Sequence, residues 1–154
     1  GPVKKVVELL DTLGENFQML VVARRNNALK EALAQVKYKH TVKVFGFVDF
    51  VDELMAASDL VVSKAGGLTT SEAMAKGTPM AIVSPTPGQE EANSDFLLEN
   101  GAAIRVNQLE NMGYKIKKLL SPKSTLARMS KNARKIGHPS SALVAAKETL
   151  KRFS

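Results

Sequence analysis

Two short stretches hold the residues with chemistry to offer. The first is SKAGGLTTSE, residues 63–72, and the second is SPTPGQEEAN, residues 84–93. In the first, Gly66 and Gly67 carry no side chain, so a ligand can approach the backbone closely. A helix is predicted to begin near Leu68. The unpaired N–H groups of its first turn and the positive end of its dipole favour an anion, most simply a phosphate. Thr69, Thr70 and Ser71 add hydroxyls, and Glu72 follows. A carboxylate here repels phosphate, but it accepts hydrogen bonds from a diol such as a ribose. The plain alternative is an ordinary helix start, with Glu72 serving the dipole or a capping box. The GxxxxGKS or GxxxxGKT spacing of a P-loop is absent.

In the second stretch Pro85 and Pro87 stiffen the chain and Gly88 opens space. Gln89 and Glu90 then start a helix. An amide beside a carboxylate offers donors and acceptors together, which suits the hydroxyls of a sugar. A rigid strand-to-helix connection would use the same residues. A third loop, GFVDF at 46–50, places Gly46 and the backbone of Phe47 and Val48 where a flat ring could lie, or where core and turn simply meet.

These loops need a frame, and the chain supplies one by alternation. Helices are predicted over 2–14, 26–38, 50–58, 68–77 and 88–101, with strands over 17–23, 41–47, 59–63, 79–84 and 102–106. Three more helices follow, at about 109–120, 122–136 and 139–152, with Pro122 and Pro139 at two of the starts. Strands that alternate with helices imply a parallel sheet with crossover helices. All three loops then fall at the carboxyl ends of strands, where open parallel sheets bind ligands. A doubly wound domain opens on a central strand, then a glycine turn, then a helix. This sequence opens on the helix, so the first strand is expected to be missing, with Gly1 and Pro2 as the end of its turn.

Bulk properties narrow the class. The chain has 154 residues, 44% hydrophobic and 24% charged, as in one soluble domain. No run approaches the roughly 18–20 apolar residues of a membrane span. It has no cysteine, which excludes disulfides and thiolate metal sites. His40 and His138 are the only imidazoles, too few for a multi-histidine metal site. Residues 1–108 carry a balance of −2 and residues 109–154 one of +9. Such a basic tail meets anionic lipid or nucleic acid, or is a solvated helix face. The tail has no aromatic platform for stacking bases, which argues against nucleic acid.

The block VVSKAGGLTTSEAMAKGTPMAIVSPTPGQEEANSDFLLENGAAIRV, residues 61–106, closely resembles the donor-binding domain of glycosyltransferase family 28, and its diacylglycerol group most of all. The resemblance implies a Rossmann-like doubly wound parallel sheet with a helical C-terminus. It would be the C-terminal half of a GT-B fold, lacking its first strand. Residues 1–154 would be the UDP-sugar domain, with the acceptor domain outside the chain. By motif, the backbone at Phe47 and Val48 faces uracil. Gly66, Gly67, Leu68 and Thr69 hold the diphosphate. Glu72 binds the ribose, Gln89 and Glu90 read the sugar, and Asn93 lies on the same face.

The implied activity is inverting hexosyl transfer from a UDP-sugar, a substrate rather than a cofactor, to a membrane lipid, diacylglycerol first. No metal or other cofactor is implied, and the base is expected in the acceptor domain, so the chain alone would be inactive. His40 and His138 match no base and are expected to be structural or solvated. The implied location is cytoplasmic, peripheral at the inner membrane face. There Lys115, Lys117, Lys118, Lys123, Arg128, Lys131, Arg134 and Lys135 would meet anionic headgroups. Two alternatives stay open: a lipid-linked GlcNAc transferase subunit or fragment, and a non-catalytic nucleotide-binding module.

Overall fold

A computed structural model describes residues 2–121 and 123–153; Gly1, Pro122 and Ser154, and the side chain of Lys123, lie outside the described residues. The order is α1 (Val3–Asp11), β1 (Gln18–Val22), α2 (Asn27–Ala34), β2 (Thr41–Phe45), α3 (Val51–Ala56), β3 (Val61–Ser63) and α4 (Gly67–Lys76). Then come β4 (Met80–Val83), α5 (Gln89–Glu99), β5 (Ala103–Val106), a 3-10 turn (Leu109–Asn111), α6 (Met112–Leu120), α7 (Lys123–Ile136) and α8 (Ser141–Phe153). Each predicted element is present, shortened at most ends. Asn26 caps α2, its side chain accepting from the Leu29 N–H at 2.9 Å.

All strand pairs are parallel, but the strands form two hydrogen-bonded parts, β1–β2 and β3–β4–β5. The expected single sheet is therefore split. Among the described residues β1 and β3 are not paired with each other.

Packing still makes one body. On one face Met19 and Val21 of β1 join Ala81, Val83 and Val106 in a cluster closed by α1 and α6. On the other face Met80 and Ile82, both fully buried, meet Ala73 and Met74 of α4 and Leu97 of α5. Successive residues of β4 thus bury opposite faces, which explains its unbroken apolar run. Each buried Met, Ile, Leu or Val among them contributes about 1.5–3 kcal/mol.

The helix that matters most for the site is α4. It ends at Gly77, whose φ of 73° suits a residue without Cβ. Behind it runs α7, where Ser130 donates to the Gly77 carbonyl at 2.7 Å. A Cβ on Gly137 would stand 2.2 Å from the Met74 carbonyl oxygen, so the end of α7 lies directly on the α4 backbone. On the other flank Lys76 pairs with Asp52 of α3 at 2.9 Å.

His40 is structural. Its Nε2 meets the Glu15 carbonyl at 2.8 Å and its Nδ1 meets the Asp11 carboxylate at 3.1 Å, with the ring stacked on Phe17. A carbonyl and a carboxylate only accept, so both contacts are met as hydrogen bonds when both ring nitrogens carry protons. The Glu15 carbonyl lifts the His40 pKa above its usual value; burial opposes this, and Asp11 adds to the lift. Burial pushes Asp11 upward, but the backbone N–H groups of His40 and Lys39 outweigh it and hold that carboxyl low. A raised folded-state pKa stabilises fully below the unfolded value of about 6.5, and the contribution is lost as pH rises through the folded value. We expect Tm to fall as pH is raised from about 6.5 upward, and His40→Gln to flatten that slope. An identical slope in the variant contradicts the assignment.

Candidate functional site

The N-terminus of α4 is open. Gly66 is its N-cap and gives no side-chain cap. The helical ladder starts where the Thr70 N–H meets the Gly66 carbonyl at 2.9 Å. The N–H groups of Gly67, Leu68 and Thr69 precede that bond and are left for another partner. Gly67 is exposed, Leu68 is 81% exposed and Thr69 is half-buried. Glu72 is exposed and lies too deep in the helix for a capping box, which needs its carboxylate at the third helical position. One expectation is corrected. Thr70 is buried and its hydroxyl donates to the Gly67 carbonyl at 3.0 Å, so only Thr69 and Ser71 keep hydroxyls to offer.

The second loop is held by its own residues. Ser84 at φ 43° and Gly88 at φ 97° turn the chain at either end. Pro85 and Pro87 have no N–H, which leaves that of Thr86 alone between them. It donates to Glu90 Oε2 at 2.7 Å. That bond, with help from the Thr86 hydroxyl and the Lys64 charge, holds the Glu90 carboxyl below its usual range. Glu90 therefore spends one oxygen on its own loop.

The two loops meet. A Cβ placed on Gly67 would lie 4.0 Å from both Asn93 Nδ2 and Gln89 Nε2. Asn93 Nδ2 donates to the buried Ala65 carbonyl at 2.9 Å. Lys64 Nζ donates to Thr86 Oγ1 at 3.2 Å. Thus Gly67, Gln89 and Asn93 meet at the starts of α4 and α5, and Glu90 is tied to the same loops through Thr86 and Lys64. The junction is an open shelf, since Gly67, Leu68, Glu72 and Gln89 all face solvent. Concavities of about 430 and 520 Å³ lie elsewhere, at the α7–α8 junction near His138 and beside Tyr114 on α6. Neither gathers the polar groups found at the shelf.

Phe47 and Val48 lie beyond β2, in the other part of the sheet. Phe47 is 64% exposed, and the Arg25 guanidinium stands 5.2 Å from its ring centroid, a cation–π pair. Sequence reasoning missed Arg25, Lys64 and Thr86. Arg25 carries no motif, and a lysine before two glycines reads as a surface charge. Only the folded loops show what these residues touch. His138 is exposed and away from the shelf.

Comparison with known proteins gives the family and the fold. The family model for glycosyl transferases group 1 matches residues 3–136. A processive diacylglycerol beta-glucosyltransferase of Bacillus subtilis (strain 168) is 37% identical over 155 residues, covering 98% of this chain and 41% of that protein. The chain spans about two fifths of the length of the curated relatives it matches. The crystal structure of MurG from Acinetobacter baumannii superposes with a TM-score of 0.68 at 20% identity, over 95% of this chain and 53% of that one. The spinosyn rhamnosyltransferase SpnG complexed with thymidine diphosphate gives 0.66 at 19% identity, over 96% of this chain and 41% of that one. These likenesses show the fold, a Rossmann-like part of a GT-B architecture. The resemblance to the diacylglycerol enzymes is matched by the curated relatives. With most of its length under one family model, the chain belongs to the glycosyl transferases of group 1.

Proposed function

We propose that this chain is the donor-binding part of an inverting, UDP-sugar-dependent hexosyltransferase whose acceptor is a membrane lipid, diacylglycerol first. One observation carries the reading. The free N–H groups of α4 and the Gln89 and Asn93 side chains converge on Gly67, where no side chain intervenes. A diphosphate on the α4 terminus would set its sugar under Gln89 and Glu90 and its ribose near Glu72. Phe47 and Val48 would face the uracil. As the glycosidic bond breaks, negative charge grows on the departing diphosphate, and preorganised N–H donors favour that change over the ground state. The attacking hydroxyl and its base would come from outside this chain, which would hold nucleotide without transferring sugar. Glucose and diacylglycerol are the first substrates to test, because the B. subtilis relative bears their names.

The basic tail fits a peripheral place on an anionic, cytoplasmic membrane face, with one correction. Lys115 is half-buried and its ammonium donates to the Arg105 carbonyl. Lys117 pairs with Glu15 at 3.6 Å, and a Cβ on Gly77 would strike the Arg134 stem. Lys118, Arg128, Lys131 and Lys135 are exposed, and each is worth about 1 kcal/mol beside such a surface. Among the described residues no helix is long and apolar enough to cross a membrane.

Two measurements test these readings. In calorimetry, Glu72→Ala is expected to weaken UDP-glucose binding about 10- to 100-fold, the loss of a charge-assisted hydrogen bond of roughly 1.5–3 kcal/mol. Unchanged affinity points to a binding module for another ligand. In sedimentation, the chain should follow phosphatidylglycerol vesicles and leave phosphatidylcholine vesicles behind. Equal behaviour on both contradicts the membrane reading.

A further inference from the structure

Among the described residues two side-chain hydrogen bonds tie the β3–α4 loop forward, one to α5 and one, which carries a charge, to the β4–α5 loop. Asn93 reaches the Ala65 carbonyl at 2.9 Å, and Lys64 reaches the Thr86 hydroxyl at 3.2 Å. Thr86 in turn gives its N–H to Glu90 at 2.7 Å. A relay therefore runs Lys64 to Thr86 to Glu90, from the loop that enters α4 to the second residue of α5.

We propose that Lys64 is a positioning residue that sets sugar affinity, acting through Thr86 to fix the Glu90 carboxylate at the shelf. This rests on the donor-site reading above and names a residue outside it. Three physical facts support the role. Between its two prolines the loop at 84–88 offers Glu90 one N–H, that of Thr86, whose hydroxyl also helps to hold the carboxylate. Both contacts come from one residue of an exposed loop, so they hold Glu90 only as firmly as Thr86 itself is held. By pinning the Thr86 hydroxyl, Lys64 removes freedom from that loop before any ligand arrives.

Charge gives the second reason. Glu90 would stand on the sugar side of a diphosphate, and two negative groups there repel. The Lys64 ammonium is one of the groups holding the Glu90 carboxyl below its usual range, so the pair presents a smaller net charge to the ligand. The third reason is exposure. Lys64 is exposed at the end of β3, so its ammonium is not needed to fill the core. Its contact with Thr86 spans 22 positions of sequence and ties exactly the two segments that must agree on where a sugar diphosphate lies.

The test compares UDP with UDP-glucose on the full chain, wild type, Lys64→Met, Lys64→Arg and Thr86→Val. The wild type is expected to bind UDP-glucose more tightly than UDP. Lys64→Met and Thr86→Val should each remove most of that ratio while changing UDP affinity less than threefold, about 0.65 kcal/mol. Lys64→Arg should restore most of it. A ratio that survives in Lys64→Met overturns the proposal. An equal loss for both ligands also overturns it, because Lys64 would then act on the phosphates directly. A ligand-free readout separates this idea from the donor-site reading. Exchange of the Thr86 amide proton, followed by NMR, should quicken several-fold in Lys64→Met if Lys64 steadies that loop. Unchanged exchange sinks the relay, whereas a wild type that binds neither nucleotide sinks the donor site.

Discussion

The site depends on one hydrogen bond between side chain and backbone, from Asn93 Nδ2 to the Ala65 carbonyl. It spans two successive strand-to-helix connections and brings the start of α5 against the loop that enters α4. Ala65 is fully buried, so an unmet carbonyl there would carry a desolvation cost of about 1–3 kcal/mol. Asn93 stands one turn after Gln89, and the same placement sets the Gln89 amide over Gly67. Any side chain on Gly67 would enter the space between them. Two glycines, one asparagine and two helix termini thus form a single polar shelf.

The frame beneath the shelf is far stronger than the shelf. Met80, Ile82 and Leu97 are buried at 0–2% exposure, and each contributes about 1.5–3 kcal/mol. A neutral link such as that from Asn93 to Ala65 contributes about 0.5–1.5 kcal/mol. Strands and helices therefore keep their places while the loops can adjust to a ligand. The helix α7 extends this logic to α4, whose far end it holds through Ser130 and the close approach at Gly137. A helix fixed at its C-terminus points its N-terminal N–H groups in a constant direction, and preorganised donors of this kind favour developing negative charge.

Much of this is legible in the sequence, for physical reasons. Short β-branched runs alternate with amphipathic segments, and that pattern specifies parallel strands with crossover helices. Gly77 and Asn26 mark helix ends because a left-handed residue and a side-chain cap have strong local preferences. Long-range partners are not legible. The split between β1–β2 and β3–β4–β5 depends on which strands lie side by side. Thr70 and Ser71 look alike on paper, yet one turns inward and the other faces solvent. Glu90 reads as a free carboxylate, yet one oxygen belongs to Thr86. Lys115 reads as a surface charge, yet it closes on a strand carbonyl. In each case a contact between distant positions decides the role, and local pattern carries no information about it.

The most direct test of the shelf as a sugar-nucleotide site is an NMR titration of the isotope-labelled chain with UDP-glucose. The account predicts that the backbone amides of Gly67, Leu68 and Thr69 and the side-chain amides of Gln89 and Asn93 shift together, with one common affinity. Shifts confined to other surfaces, with these five groups unmoved, would contradict it.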